Sequence, residues 1–135
     1  MSVIKSKRNQ SDMEFLMNAR KLQIFTIQKC VNTIPKRYTF YLGQEIAQCA
    51  RRVYGYVKKG NSIYPLNAHE AQIRRDYFLR ASAELQDLVS QIEVAHEVIH
   101  FDEKILHEWA GLISKEMELV SGILKKDRER YKNLT

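Results

Sequence analysis

The sequence predicts an all-α fold, an antiparallel up-down-up-down four-helix bundle. Three observations carry this. Four segments show apolar residues at alternating three- and four-residue spacings, no segment of useful length alternates as a strand does, and five glycines and two prolines leave few places for turns. The 135 residues suffice for one domain with a single core.

The first helix is expected from about Asp12 to Ile34, capped by Ser11 or Asp12. Its stripe is Met13, Leu16, Arg20, Ile24, Ile27, Val31 and Ile34, widened by Phe15, Ala19, Leu22 and Cys30. Pro35 ends it, because the residue before proline avoids the α region. The second helix runs from about Thr39 to Lys59 with the stripe Leu42, Ile46, Cys49, Val53 and Val57, and Gly60-Asn61 stops it. Gly43 reads as a place of close helix approach.

Asn67 caps the third helix, with Glu70 at the third helical position as a capping-box variant. Its stripe is Arg74, Phe78, Ala81, Leu85, Leu88, Ile92, Ala95 and Ile99. Arg74 on that stripe suggests a wet bundle end or a contact with another subunit. The fourth helix starts at Asp102, carries Leu106, Trp109, Ile113, Met117, Val120 and Leu124, and frays over residues 125–132. Residues 1–10 read as a flexible basic arm and 11–135 as the bundle.

Charge is distributed unevenly. Residues 29–59 hold seven basic side chains against Glu45, a net +6, which equals the net charge of the whole chain. Antiparallel folding divides this stretch. Residues 1–20, 51–80 and 118–135 share one end with net +9, and the remainder nets −3. The basic end gathers Arg51, Arg52, Lys58, Lys59, Arg74, Arg75, Lys125, Lys126 and Arg128, which are the candidate nucleic-acid contacts. Arg80 and Arg130 lie there too, with Tyr54, Tyr56, Tyr64, Tyr77 and Tyr131 among them. Phosphate contacts with some tyrosine stacking are the expected mode, for RNA or DNA, without sequence-specific readout. Lys36 and Arg37 go to the other end, where Glu84, Asp87, Glu93, Glu97, Asp102 and Glu103 gather, for pairing within or between subunits.

No catalytic residue is assigned. There is no nucleophile motif and no glycine-rich phosphate loop. Glu93-x-x-His96 and Glu97-x-x-His100 match half of a di-iron ligand pattern, and His107 could approach them. Both copies lie on one helix, so they read as a solvent-facing helix end, with no metal and no cofactor. Cys30 and Cys49 sit six and twelve residues from the turn, so a hairpin does not bring them level. They read as reduced core residues of a cytoplasmic protein. No apolar run approaches the roughly 20 residues of a membrane span, and no signal peptide opens the chain.

The run Pro35-Lys36-Arg37-Tyr38, then Leu42-Gly43-Gln44 and Ile46, resembles the helix 1–helix 2 junction of a bacterial four-helix-bundle family. Tyr77-Phe78-Leu79-Arg80-Ala81-Ser82-Ala83-Glu84-Leu85 resembles its third helix. That family includes ribosomal-RNA intervening-sequence proteins and the accessory variability determinant of diversity-generating retroelements. For the retroelement branch the resemblance implies a homopentamer that binds nucleic acid and a reverse transcriptase and is not itself an enzyme. Val53-Tyr54-Gly55-Tyr56-Val57-Lys58-Lys59-Gly60 replaces an Asn-Ile-Ala-Glu-Gly-like stretch of the intervening-sequence branch. With an isoelectric point near 9.4, this favours the basic accessory branch. The alternative is a structural protein-interaction bundle of the intervening-sequence type, with no nucleic-acid role.

Overall fold

The computed structural model describes residues 10–135, with side chains from residue 13 onward. The expected basic arm therefore lies outside the described residues, apart from Gln10. Four α-helices make up the described fold: α1 (Gln10–Thr33), α2 (Gln44–Asn61), α3 (Ala68–Ile99) and α4 (Glu103–Arg130). Each packs on the next, and α4 returns onto α1. Contacts between α2 and α3 run in opposite directions, with Cys49 meeting Asp87, Arg52 meeting Glu84 and Tyr56 meeting Tyr77. On α1 and α4, Asn18 meets Glu116 and Thr26 meets Trp109.

Pro35 closes α1 as expected, the last bond running from Ile34 N to Cys30 O. The residues after Pro35 do not begin a regular helix. A single 3₁₀ turn (Lys36–Tyr38) leads into a wide π turn (Thr39–Gly43), which delays α2 to Gln44. Asn67 accepts from Glu70 N at 2.9 Å and Glu70 returns a bond from Leu66 N at 2.8 Å, which fixes the start of α3. Asp102 caps α4 by accepting from Lys104 N. α4 does not fray at residue 125 but continues to Arg130, because Asp127 turns inward there and anchors it.

The largest departure concerns α1. Of its expected stripe only Ile34 is buried and Leu16 half-buried, while Met13, Ile24, Ile27 and Val31 are exposed. The core takes the flank on which Phe15, Ala19, Leu22 and Cys30 widen the expected face, joined by Asn18 and Thr26. At 100° per residue the centre of the buried set lies about 130° from that of the expected stripe, a little over a third of a turn. α1 is apolar on both sides, so periodicity alone cannot select a face. Polar complementarity does, since Thr26 accepts the Trp109 indole N–H at 2.9 Å and Asn18 donates to Glu116 at 3.0 Å. Trp109 itself is core, as its position on the α4 stripe predicts.

Gly43 does not need to be glycine, since an added Cβ would meet Ile34 at 3.7 Å, an ordinary contact. The close approach is at Gly60, where a Cβ would lie 2.9 Å from Cε2 and Cζ of the fully buried Phe78 ring. That ring cannot retreat, because Phe15 meets its edge and the Arg74 guanidinium covers it. Overpacking of this kind costs about 1–3 kcal/mol, partly offset by the roughly 1 kcal/mol a helical alanine gains over glycine. Gly60→Ala is therefore expected to lower the urea midpoint. Gly55→Ala, with nothing within 4 Å of its Cβ, should raise it. Equal shifts of one sign would contradict the contact.

Candidate nucleic-acid interface

The contacts Phe15–Phe78, Gly60–Phe78 and Arg74–Asp127 bring residues from all four helices to one end of the bundle. Ala68 N also bonds Thr135 O at 3.4 Å, which holds the C-terminal residues there. Arg51, Lys58, Lys59, Lys125, Lys126 and Arg128 are exposed or half-exposed, and so is Arg75. Among the described residues none of these seven is ion-paired.

Two of the nine candidate contacts are turned inward. Arg74 is buried: its Nε meets Asp127 Oδ2 at 2.6 Å, and one terminal nitrogen donates to the carbonyls of Gly60 and Ile63. Its position on the α3 stripe reflects a buried pair with α4. Arg52 is half-buried and bridges Glu45 at 2.8 Å and Glu84 at 3.0 Å. Partial burial disfavours its charge, and the two carboxylates more than offset that, raising its pKa. Both guanidiniums already hold carboxylates; Arg74 is enclosed, whereas Arg52 keeps a third of its side chain exposed.

Along the seam between α2 and α3 the remaining cations combine with aromatic rings. Tyr56 and Tyr77 stack with centroids 6.4 Å apart and an interplanar angle of 29°. Lys59 Nζ lies 5.9 Å from the first ring and 6.0 Å from the second, and the Arg80 guanidinium lies 5.7 Å from Tyr77. Lys58 sits over Tyr54 at 5.3 Å. Beside this seam a cleft of about 460 Å³ is lined by Gln48, Arg51, Arg52, Gly55, Tyr56 and Lys59. A second of about 360 Å³, between the start of α3 and the end of α4, includes Arg75, Arg128 and Lys132. Helical spacing explains the seam: Arg51, Gly55, Tyr56 and Lys59 share one side of α2, and Tyr77 and Arg80 share one side of α3.

At the opposite end His96 and His100 meet edge to face at 5.4 Å, but among the described residues neither Glu93, Glu97 nor His107 joins them in a group with metal-ligand proximity. His96 accepts the Phe101 backbone N–H through Nδ1 at 3.0 Å and its ring stacks on Phe101, so it closes α3. His100 adopts φ 54 at the C-cap, and His107 is exposed. Among the described residues the only group with metal-ligand proximity is Glu45, Cys49 and Asp87. Sequence periodicity does not single it out, because Cys49 reads as core and the carboxylates as surface. Arg52 already supplies the cation there, one terminal nitrogen lying 3.4 Å from Cys49 Sγ. Burial, reinforced by Asp87, pushes the Cys49 thiol up to about 12, so it is neutral at ordinary pH. Cys30 and Cys49 are both buried free thiols.

Compared with protein-family models, curated proteins and solved structures, the chain gives no match.

Proposed function

We propose that this chain is a non-enzymatic nucleic-acid-binding bundle that acts as a homo-oligomer. The observation that carries the reading is the α2/α3 seam, where Arg51, Lys59 and Arg80, none of them ion-paired among the described residues, flank the stacked Tyr56 and Tyr77. Cations supply phosphate contacts and the ring faces supply stacking for unpaired bases, the combination that binds single strands without base readout. Lys58, Arg75, Lys125, Lys126 and Arg128 extend the positive field around the same end. The sequence resemblance adds a reverse transcriptase as the protein partner and a pentamer as the assembly.

Binding should be strongly salt-dependent, with log K falling linearly against log salt. Replacing Arg51, Lys59 and Arg80 together by Gln removes up to three phosphate contacts. The slope should then fall by about 0.7–0.9 for each phosphate no longer neutralised. Lys104→Gln, at the other end, should leave it unchanged. Fluorescence anisotropy with a labelled single-stranded oligonucleotide reads both. Absence of affinity at low salt, or an unaltered slope in the triple variant, would overturn the assignment.

A second reading has its own support. Met17, Ile24, Ile27 and Val31 form an exposed apolar stripe along α1, Val31 with 75% of its surface accessible. Such stripes are contact surfaces for other proteins. A structural interaction bundle would retain this stripe and bind no nucleic acid, so the same anisotropy measurement separates the two.

A further inference from the structure

We propose that the turn after α1 docks into the groove between α3 and α4 of a second copy of this chain. The inference rests on the homo-oligomeric part of the proposed function and specifies its interface.

The donor is the π turn. Phe40 and Tyr41 are 80% and 78% exposed and meet edge to face at 6.4 Å, so they project from the bundle as a pair. Beside them, Lys36 and Arg37 are exposed, and among the described residues neither has a carboxylate partner. Two large aromatic rings in water, next to cations without counter-charges, are what the buried centre of an interface with a charged rim looks like before association.

The acceptor lies on the other side of the molecule. A groove of about 320 Å³ runs between α3 and α4, floored by Ile92, Leu106, Ile113 and Met117 and rimmed by Glu93. Glu97 stands one turn further along α3, exposed, and among the described residues neither glutamate is ion-paired. The groove has the apolar floor an aromatic ring requires and the opposite charge at its edge. The sign of the complementarity excludes the basic end of the molecule as acceptor and also disfavours a turn-to-turn contact, which would oppose Lys36 and Arg37 to themselves.

Area is adequate. Each aromatic ring buries about 150–250 Å² when enclosed. Ile27 and Val31, which border the cleft beside the turn, continue the donor surface toward the roughly 800 Å² per partner of a stable interface. Donor and acceptor occupy different faces, so each copy offers both. The contact is head-to-tail and generates a ring if the rotation closes. Both lie toward the same end of the bundle, the one opposite the basic seam. Copies joined this way with parallel axes would therefore present their nucleic-acid seams on one side of the assembly.

The test is molar mass by light scattering on the full chain, with circular dichroism to establish helicity. The wild-type chain should be oligomeric at micromolar concentration. Phe40→Ser with Tyr41→Ser should raise the dissociation constant about 100-fold or more while helicity is kept. Lys36→Glu with Arg37→Glu should likewise dissociate it, and adding Glu93→Lys with Glu97→Lys should restore assembly. A wild-type chain that is monomeric at high micromolar concentration overturns both the oligomeric reading and this interface. An oligomer that survives the Phe40/Tyr41 change, or fails to respond to the charge exchange, overturns the interface alone.

Discussion

Arg74→Met should lower the free energy of unfolding by about 3–5 kcal/mol, the largest effect expected of any single substitution here. The guanidinium is buried together with Asp127, which it meets at 2.6 Å, and it satisfies the Gly60 and Ile63 carbonyls while covering the Phe78 ring. Its removal leaves a carboxylate and two carbonyls without that partner in a site where the pair is only 7–8% exposed. Asp127→Asn should cost less, because an amide oxygen still accepts from Nε while the cation loses its counter-charge. In the double variant Arg74→Met/Asp127→Leu no charge remains buried, so much of the stability should be recovered. A double-mutant cycle in urea should give a coupling of about 2 kcal/mol or more. Additive effects would mean the pair does not act as a unit. The same variants separate structure from binding. Below the unfolding transition, Arg74→Met should retain the wild-type salt slope for nucleic acid, because the residue touches no phosphate. A slope reduced by about one would return Arg74 to the contact surface.

The reason Arg74 is legible as a position and misleading as a role lies in α4. Its place on the α3 stripe, with Phe78 and Ala81, is plain in the sequence, and a charge there demands a partner. Asp127 comes four residues after Ile123 and seven after Val120, so it continues the buried face of α4 at helical spacing. The expected stripe ends at Leu124, one step short, because fraying over residues 125–132 would take Asp127 off the helix. One further turn of a helix thus decides whether an arginine is a ligand for phosphate or a strut between helices. Arg52 teaches the same lesson at closer range. Glu45 precedes it by seven residues on α2, two turns away, and Glu84 comes from α3, so only the packing of the two helices reveals the bridge.

α1 is harder for a different reason. Helices α2 and α3 each have one continuous apolar face, and their expected stripes are their buried ones. α1 has two. The face with the longer aliphatic run, Met13 through Val31, is left in solvent. The buried face includes Asn18 and Thr26, which look unfavourable until Glu116 and Trp109 are placed opposite them. Hydrophobic periodicity measures what a helix can bury and says nothing about how many surfaces it must satisfy. The unused face is itself informative, since a helix that is apolar on both sides has a use for the second side. The seam of Tyr56, Tyr77, Lys59 and Arg80 is half legible. The charge count assigns the right end, whereas the stacking of two tyrosines from different helices requires the register of α2 against α3.

Glu116→Gln should change how stability depends on pH. Glu116 is fully buried in α4, and burial pushes its carboxyl up to about 7 from an ordinary value near 4.5. The Asn18 amide, at 3.0 Å from Oε1, and the nearby Lys115 charge moderate that rise without cancelling it, and Oε2 has no hydrogen-bond partner among the described residues. The native state therefore favours the protonated acid. Below pH 4.5 the side chain is neutral in both the folded and unfolded chain, and its contribution is fully present. As pH rises from about 4.5 to about 7 the unfolded chain releases this proton while the folded chain keeps it, so folding becomes progressively less favourable. Above about 7 both states are ionised and the deficit is constant. At 1.36 kcal/mol per pH unit this amounts to about 3 kcal/mol. Glutamine imitates the neutral acid at every pH, so the variant should lack this dependence. Any fixed cost of its unmatched amide hydrogens cancels when one difference is subtracted from another. Urea unfolding of both proteins at about pH 4.5 and about pH 8.5 supplies the measurement. The stability of Glu116→Gln relative to wild type should increase by about 3 kcal/mol between the two. A relative stability independent of pH would mean that Glu116 ionises in the folded chain as readily as in the unfolded one, and that the Asn18 contact holds a carboxylate.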